Sequence, residues 1–251
     1  MIRGLLLDFY GTVVEDDDEV MAAIAARVAA GATRPVTPEQ VLGAWSRAYQ
    51  AAADRVPFRP LRDCARDGLA AAMTEAGCAG DATELCAPQF AFWRAPPLRP
   101  GTREFLAALT VPVCVVSDAD RSDLDAAIRR HGLEVAAVVC SEEVGAYKPD
   151  RAMFAAGLAA LGLTADQVWH VGDSPATDVA GAVAAGIPVA WVNRHGRTAP
   201  AGTPPAAEVT GLAGLIGRLP QAPRPRWRGL AARLQNSHNS STVPSGSWCI
   251  Q

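Results

Sequence analysis

The sequence predicts an α/β protein: a parallel sheet with helices on both faces, carrying one all-helical insertion. Three observations lead there. From Pro96 onward, short apolar runs alternate with longer periodic segments, the rhythm of a parallel sheet wrapped by its crossover helices. Between an opening apolar run and that alternation lie about eighty residues whose patterning is helical throughout. Finally, the apolar runs Ile2 to Leu7, Val111 to Val116 and Gln167 to Val171 stop abruptly at Asp8, Ser117 and Gly172-Asp173. Such segments read as buried strands that deliver a polar residue to the open sheet edge, where α/β sheets bind ligands.

The elements follow in order. Glu19 to Ala30 is Ala-rich with no breaker, and Thr37-Pro38-Glu39 opens a second helix that continues to about Ala53. Leu61 to Glu75 and Ala82 to Phe92 read as two more, separated by Gly77 and Gly80. Trp45, Tyr49, Phe58, Phe90, Phe92 and Trp93 fall in this stretch and read mainly as its own core, with one or two facing a pocket. Beyond Pro96, helices are predicted over Thr102 to Leu109, Arg121 to Arg130, Arg151 to Leu161 and Pro175 to Ala185. Strands are predicted over 111 to 117, 135 to 140, 167 to 172 and Ile187 to Val192, with Ser174 capping the helix that Pro175 begins. The division is an α/β unit over 1–14 and 96–219, a helical insertion over 15–95 and a tail over 220–251.

The tail is rich in Pro, Arg, Ser and Asn and reads as disordered. No Asp or Glu follows Glu208, whereas Arg218, Arg224, Arg226, Arg228 and Arg233 do, so a net charge of −3 hides a basic end. At 251 residues and 49% hydrophobic, the chain can bury a full domain core plus a small insertion. Six cysteines without a CxxC pair, an apolar strand starting almost at the N-terminus and no run long enough to span a bilayer lead us to expect reduced thiols and a cytoplasmic location. The expected partner is a small-molecule substrate rather than a membrane or a nucleic acid; oligomeric state leaves no mark.

Four clusters carry the chemistry: DFYGT at 8–12, Ser117, Lys148 and GDSPATD at 172–178. Each has an ordinary structural explanation when taken alone. Asp8 could form a turn, Lys148-Pro149-Asp150 could start a helix, and Asp178 could be a solvated helix residue. Together they place several carboxylates at one sheet edge, where they repel unless a cation sits among them; a hard divalent ion with oxygen ligands is the usual remedy. Lys148 adds a fixed positive charge, and a carboxylate so placed can attack phosphorus or carbon to form a covalent intermediate.

The order and chemistry of these clusters resemble the haloacid dehalogenase superfamily of hydrolases and phosphatases, over roughly residues 1 to 196. The resemblance implies a parallel Rossmann-like sheet with a small all-helical cap domain, and a nucleophile at Asp8. It implies that Thr12 and Ser117 hold the transferred group, with Tyr10, Gly11 and Asp118 beside the substrate and Lys148 neutralising the nucleophile. Asp8, the carbonyl of Tyr10, Asp173 and Asp178 would hold magnesium.

Two departures from that pattern matter. Phosphatases of the superfamily carry a second Asp two residues after the nucleophile, which protonates the leaving group and then activates water; here it is Tyr10. DFYGT therefore looks like the first motif of the 2-haloacid dehalogenases, which use no metal and release halide without a proton. Asp118 stands where relatives often have Asn; either Asp118 or a substrate group partly replaces the missing acid, or Asp118 has a capping or turn role at the start of the following helix. Retention of Asp173 and Asp178 ranks Mg-dependent phosphatase-like hydrolysis of a small phosphate ester first. Metal-free 2-haloacid hydrolysis comes second, with Arg47 (Arg34 and Arg55 as rivals) as the guanidinium for the substrate carboxylate. A third reading is a weakly catalytic member that binds a ligand or a protein partner.

Overall fold

The computed structural model describes residues 2–199, 201–202 and 204–220; the basic tail expected over 220–251 lies outside the described residues except for Pro220. Pro220 still belongs to the folded unit, because its carbonyl accepts the Ile2 amide at 3.0 Å. Among the described residues, no helix is long and apolar enough to cross a membrane.

Six strands form one sheet: β1 Gly4–Leu7, β2 Val113–Ser117, β3 Ala137–Cys140, β4 Val168–Gly172, β5 Val189–Val192 and β6 Ala207–Val209. Every pairing is parallel and the order is β3-β2-β1-β4-β5-β6. This is a doubly wound sheet whose order reverses beside β1, the strand that ends at Asp8. β1 is buried on both faces, as its uninterrupted apolar sequence requires. Leu5 and Leu7 join one core with Phe105 and Leu124, while Leu6 joins the other with Val116, Met153 and Phe154.

The covering helices are α5 Thr102–Ala108 and α6 Arg121–His131 on the first face, and α8 Arg151–Leu161 and α9 Ala180–Ala184 on the second. A single turn, α7 Ser141–Val144, follows β3. Helices on both faces of a parallel sheet are what the sequence predicts. Three details differ. β1, β2, β3 and β5 each start two residues later than expected; at β2 and β5 the cause is that Pro112 and Pro188 have no amide to donate, and their carbonyls instead accept Leu5 N and His170 N, each at 2.9 Å. β6 was not anticipated, since three residues carry too little pattern. The helix expected over Pro175 to Ala185 opens with one π turn, Pro175–Val179, and only then becomes α9.

Inserted between β1 and α5 are α1 Asp18–Ala30, α2 Pro38–Ala53, α3 Leu61–Ala76 and α4 Ala82–Arg94. Thr37 and Gln40 close a reciprocal capping box around Pro38, which fixes the start of α2. The insertion has its own core of Ile24, Val28, Trp45, Leu69 and Met73, and Trp45 satisfies its indole N–H on the Ala65 carbonyl at 2.8 Å. It rests on the α/β unit through directional contacts. The Asp120 carboxylate accepts the Leu61 and Arg62 amides at 2.7 and 3.1 Å, and Arg62 and Arg94 both bond the buried Asp123.

Candidate active site

Asp8 leaves β1 buried, and its Oδ1 accepts from Lys148 Nζ at 2.6 Å. Lys148 also donates to Asp178 Oδ1 at 2.7 Å, so one ammonium bridges a residue from the first cluster and one from the fourth. Asp178 is not a solvated helix residue: it is 1% exposed, and its Oδ2 accepts the Ser174 amide at 3.0 Å. Gly172 makes that possible, since a Cβ there would lie 2.3 Å from Asp178 Cγ. Asp173 completes the group, and oxygens of Asp8, Asp173 and Asp178 all lie within 4.8 Å of one another.

The other expected residues distribute as follows. Thr12 is fully buried, and its hydroxyl reaches Asp173 Oδ1 at 3.4 Å. Gly11 has φ +82°, and a Cβ there would come within 2.9 Å of Asp173 Oδ1, so the turn after Asp8 needs glycine for both reasons. Ser117 ends β2 at 1% exposure. Asp118 does not cap a helix: α6 begins after Asp120, and Asp118 Oδ1 accepts the Lys148 amide at 2.8 Å, tying the second cluster to the third. Lys148-Pro149 precedes the helix rather than starting it, and Asp150 is the N-cap of α8.

Two expected residues have other partners. The Tyr10 hydroxyl donates to the Trp93 carbonyl in the insertion at 2.7 Å. Arg47 lies on the exposed side of α2, where its ion-pair partner among the described residues is Glu75, at 3.8 Å. Three residues were missed. His170 is fully buried and bonds the Asp178 carboxylate Oδ1 through Nε2 at 2.9 Å, which makes Nε2 the nitrogen that carries the hydrogen. Arg194 and Arg197 follow β5 and hold Asp173: Arg197 reaches its carbonyl at 2.8 Å and Oδ2 at 3.4 Å, and Arg194 lies 3.7 Å from Oδ2 while donating to the Gly11 carbonyl. The signal was present, because Asn193-Arg194-His195-Gly196-Arg197 is a polar cluster at the end of a fourth apolar run. His195, which lies between them in the chain, is exposed.

Electrostatically, burial works against every charge in the group, and the balance differs by residue. Lys148 stays protonated, well above its ordinary range, because Asp178, Asp8 and Asp118 outweigh its burial. Burial also opposes ionised Asp178, but Lys148 and the His170 hydrogen bond prevail and hold it far below the carboxylate range. Burial pushes Asp8 up against the pull of Lys148. It pushes Asp118 up to about 6, opposed by Lys148, and Asp173 up to about 7, reinforced by Asp8 and Asp178.

A stability prediction follows from the last two. Asp118 and Asp173 bind a proton more tightly folded than unfolded, so the native state holds extra protons from pH 3.8 up to their folded values. Their contribution is complete below that window and is lost as pH rises through about 6 to about 7. Asp178 has the opposite sign, but its window lies below pH 3.8. Metal-free protein should therefore lose melting temperature between about pH 5 and about pH 8, and Asp173→Asn should flatten the decline. An equal slope in wild type and variant would contradict the assignment.

The residues fit a divalent cation. Three carboxylates converge, and Asp8 Oδ2 is buried without a hydrogen-bond partner, an arrangement that costs free energy unless a cation or a proton meets it.

Comparisons with known proteins agree with this geometry. A family model described as haloacid dehalogenase-like hydrolase matches residues 2–186. Over 131 residues, 49% of this chain and 52% of the other, the sequence is 37% identical to phosphoserine phosphatase of Thermus thermophilus, so the chain spans about half the length of that curated relative. The 2-haloacid dehalogenase of Pseudomonas syringae superposes with a TM-score of 0.60 at 28% identity, covering 86% of this chain and 96% of that one. The Bacillus subtilis HAD-hydrolase YfnB, solved with magnesium bound, shares the fold at a TM-score of 0.68 and 21% identity, covering 87% and 99%. With the strand that ends at Asp8 beside the sheet's switch point and a family match across most of its length, the chain belongs to the haloacid dehalogenase-like hydrolases.

Proposed function

We propose that the protein is a magnesium-dependent phosphatase that hydrolyses a small phosphate ester through an Asp8 phosphoryl intermediate. The observation that carries this reading is the convergence of Asp8, Asp173 and Asp178 within 4.8 Å, for which metal-free halide displacement has no use. The relative named as a phosphoserine phosphatase supports it. Magnesium, held by those carboxylates, would neutralise phosphate oxygens so that an anionic nucleophile can approach phosphorus.

The chain's own residues do the rest. Lys148 holds Asp8 Oδ1 at 2.6 Å, which fixes the orientation of the attacking carboxylate. Ser117 and Thr12, both buried at the same sheet edge, are placed to receive the phosphoryl oxygens. The helical insertion over 15–95 acts as a lid that excludes water from the intermediate. Asp118, raised to about 6, takes part of the role that Tyr10 cannot fill: ionised at neutral pH, it accepts a proton from the hydrolytic water. Asp118→Asn should lower kcat and remove the inflection near that pH from the rate profile; an unchanged rate and profile would eliminate the role.

A second reading, hydrolysis of 2-haloacids, is favoured by Tyr10, whose hydroxyl is committed to Trp93 and supplies no acid. One experiment separates the two. Phosphate release from a panel of phosphate esters, and halide release from 2-haloacids, are each measured with and without magnesium. Magnesium-dependent phosphate release supports the first reading, and metal-independent halide release supports the second.

A further inference from the structure

Tyr10 leaves a chemical question that a cavity beside Lys148 answers. In the proposed reaction the ester oxygen must depart without a proton from position 10, since that hydroxyl donates to the Trp93 carbonyl at 2.7 Å. An alkoxide is a poor leaving group under those conditions, whereas a phenolate, stabilised by its ring, departs unaided. Absence of the acid therefore selects for esters whose leaving group is acidic.

The cavity has the shape and lining for such a group. It measures about 950 Å3, at the upper end of small-molecule sites, and opens between the end of the insertion's second helix and the loop that carries Lys148. Phe58 from the insertion and Tyr147 from the α/β unit both line it, with ring centroids 5.0 Å apart and planes at 37°. Val56, beside them, is 97% exposed, although nearly every other large apolar side chain among the described residues is covered. Lys148 stands in the same wall and bonds Asp8 at 2.6 Å, so the cavity adjoins the residue that holds the proposed nucleophile.

Charge argues against a second anion there. Lys148 is already matched by Asp8 and Asp178, and the remaining wall balances Arg55 and Arg151 against Asp54 and Asp150. Arg55 and Arg151 have no hydrogen-bond or ion-pair partner for their side chains among the described residues. They are free to meet ring substituents, but they add no net field. A neutral flat ring fits this lining better than a carboxylate does.

We propose that the substrate class is aryl phosphate monoesters, with Phe58, Tyr147 and Val56 forming the leaving-group subsite. The inference rests on the phosphatase reading above. An Asp8 oxygen bonds to phosphorus, the bond from phosphorus to the aryl oxygen breaks, and the phenolate leaves with the electron pair and takes a proton from water. Water then adds to the phosphorus of the acyl phosphate, releasing inorganic phosphate and restoring the Asp8 carboxylate. No oxidant or co-reactant is needed.

The test compares phenyl phosphate with cyclohexyl phosphate, which has the same size but an alkoxide leaving group, in wild type, Phe58→Ala, Val56→Ser and Asp8→Asn. Wild type should favour phenyl phosphate by at least about 10²-fold in kcat/KM, the usual worth of a missing general acid. Phe58→Ala should raise KM for phenyl phosphate about 3- to 10-fold, the loss expected for one aromatic contact, while inhibition by inorganic phosphate, which does not reach the cavity, stays the same. Val56→Ser alters a fully exposed side chain that the fold does not need, and should raise KM in the same direction. Equal turnover of the two esters, or a KM that neither variant moves, would overturn the inference and leave the phosphatase reading intact. No phosphate release from either ester above the Asp8→Asn background, with release from other esters in the panel, would also overturn it. No release from any ester would remove both.

Discussion

Lys148→Met should abolish turnover and cost about 3–5 kcal/mol of stability, the usual penalty for leaving a buried charge without its partner. The ammonium donates to Asp8 at 2.6 Å and Asp178 at 2.7 Å, and all three side chains are at most 7% exposed. Without it, two carboxylates share a dry space with a third, Asp173, close by. Asp178 depends on Lys148 most, because that charge does most to keep its carboxyl far below the ordinary range. The loss should be smaller at acid pH, where Asp8, already pushed up by burial, takes a proton and relieves the repulsion. Urea unfolding at about pH 5 and about pH 8 measures both effects, and a variant as stable as wild type at the higher pH would refute the electrostatic account.

Asp8→Asn should remove activity by at least about 10⁴-fold, as loss of a nucleophile does elsewhere, while leaving the fold intact. Asparagine keeps an acceptor for Lys148 and removes one of three mutually repelling charges, so metal-free stability should stay level or rise. It also removes one of three candidate magnesium ligands, so the rise in melting temperature on adding magnesium should shrink. Loss of activity accompanied by unfolding would assign Asp8 a structural rather than a chemical role.

The sequence shows its site where apolar runs break. Asp8, Ser117 and Asp173 each follow a strand that must be buried on both faces, and parallel strands deliver all three to one edge. Lys148 and Asp178 were legible from the clusters that contain them. His170 was hidden because one polar residue inside a strand reads as a satisfied core group; only the π turn after Ser174, which accompanies the inward placement of Asp178, shows what satisfies it. Arg194 and Arg197 escaped because a guanidinium in a loop after a strand reads as a solvated charge, and only the folded sheet brings the end of β5 beside Asp173. The partners of Tyr10 and Arg47 were not legible for another reason. Their directions depend on how the insertion packs, and periodicity within the insertion says nothing about which helix face meets the sheet edge.

The proposed chemistry predicts a covalent phosphoryl group on one carboxylate. Acid quenching during turnover of a phosphate ester with magnesium, followed by peptide mass mapping, should find a single phosphoryl adduct on the peptide that contains Asp8. An unmodified Asp8 peptide during steady phosphate release, or an adduct at any other residue, would contradict the account.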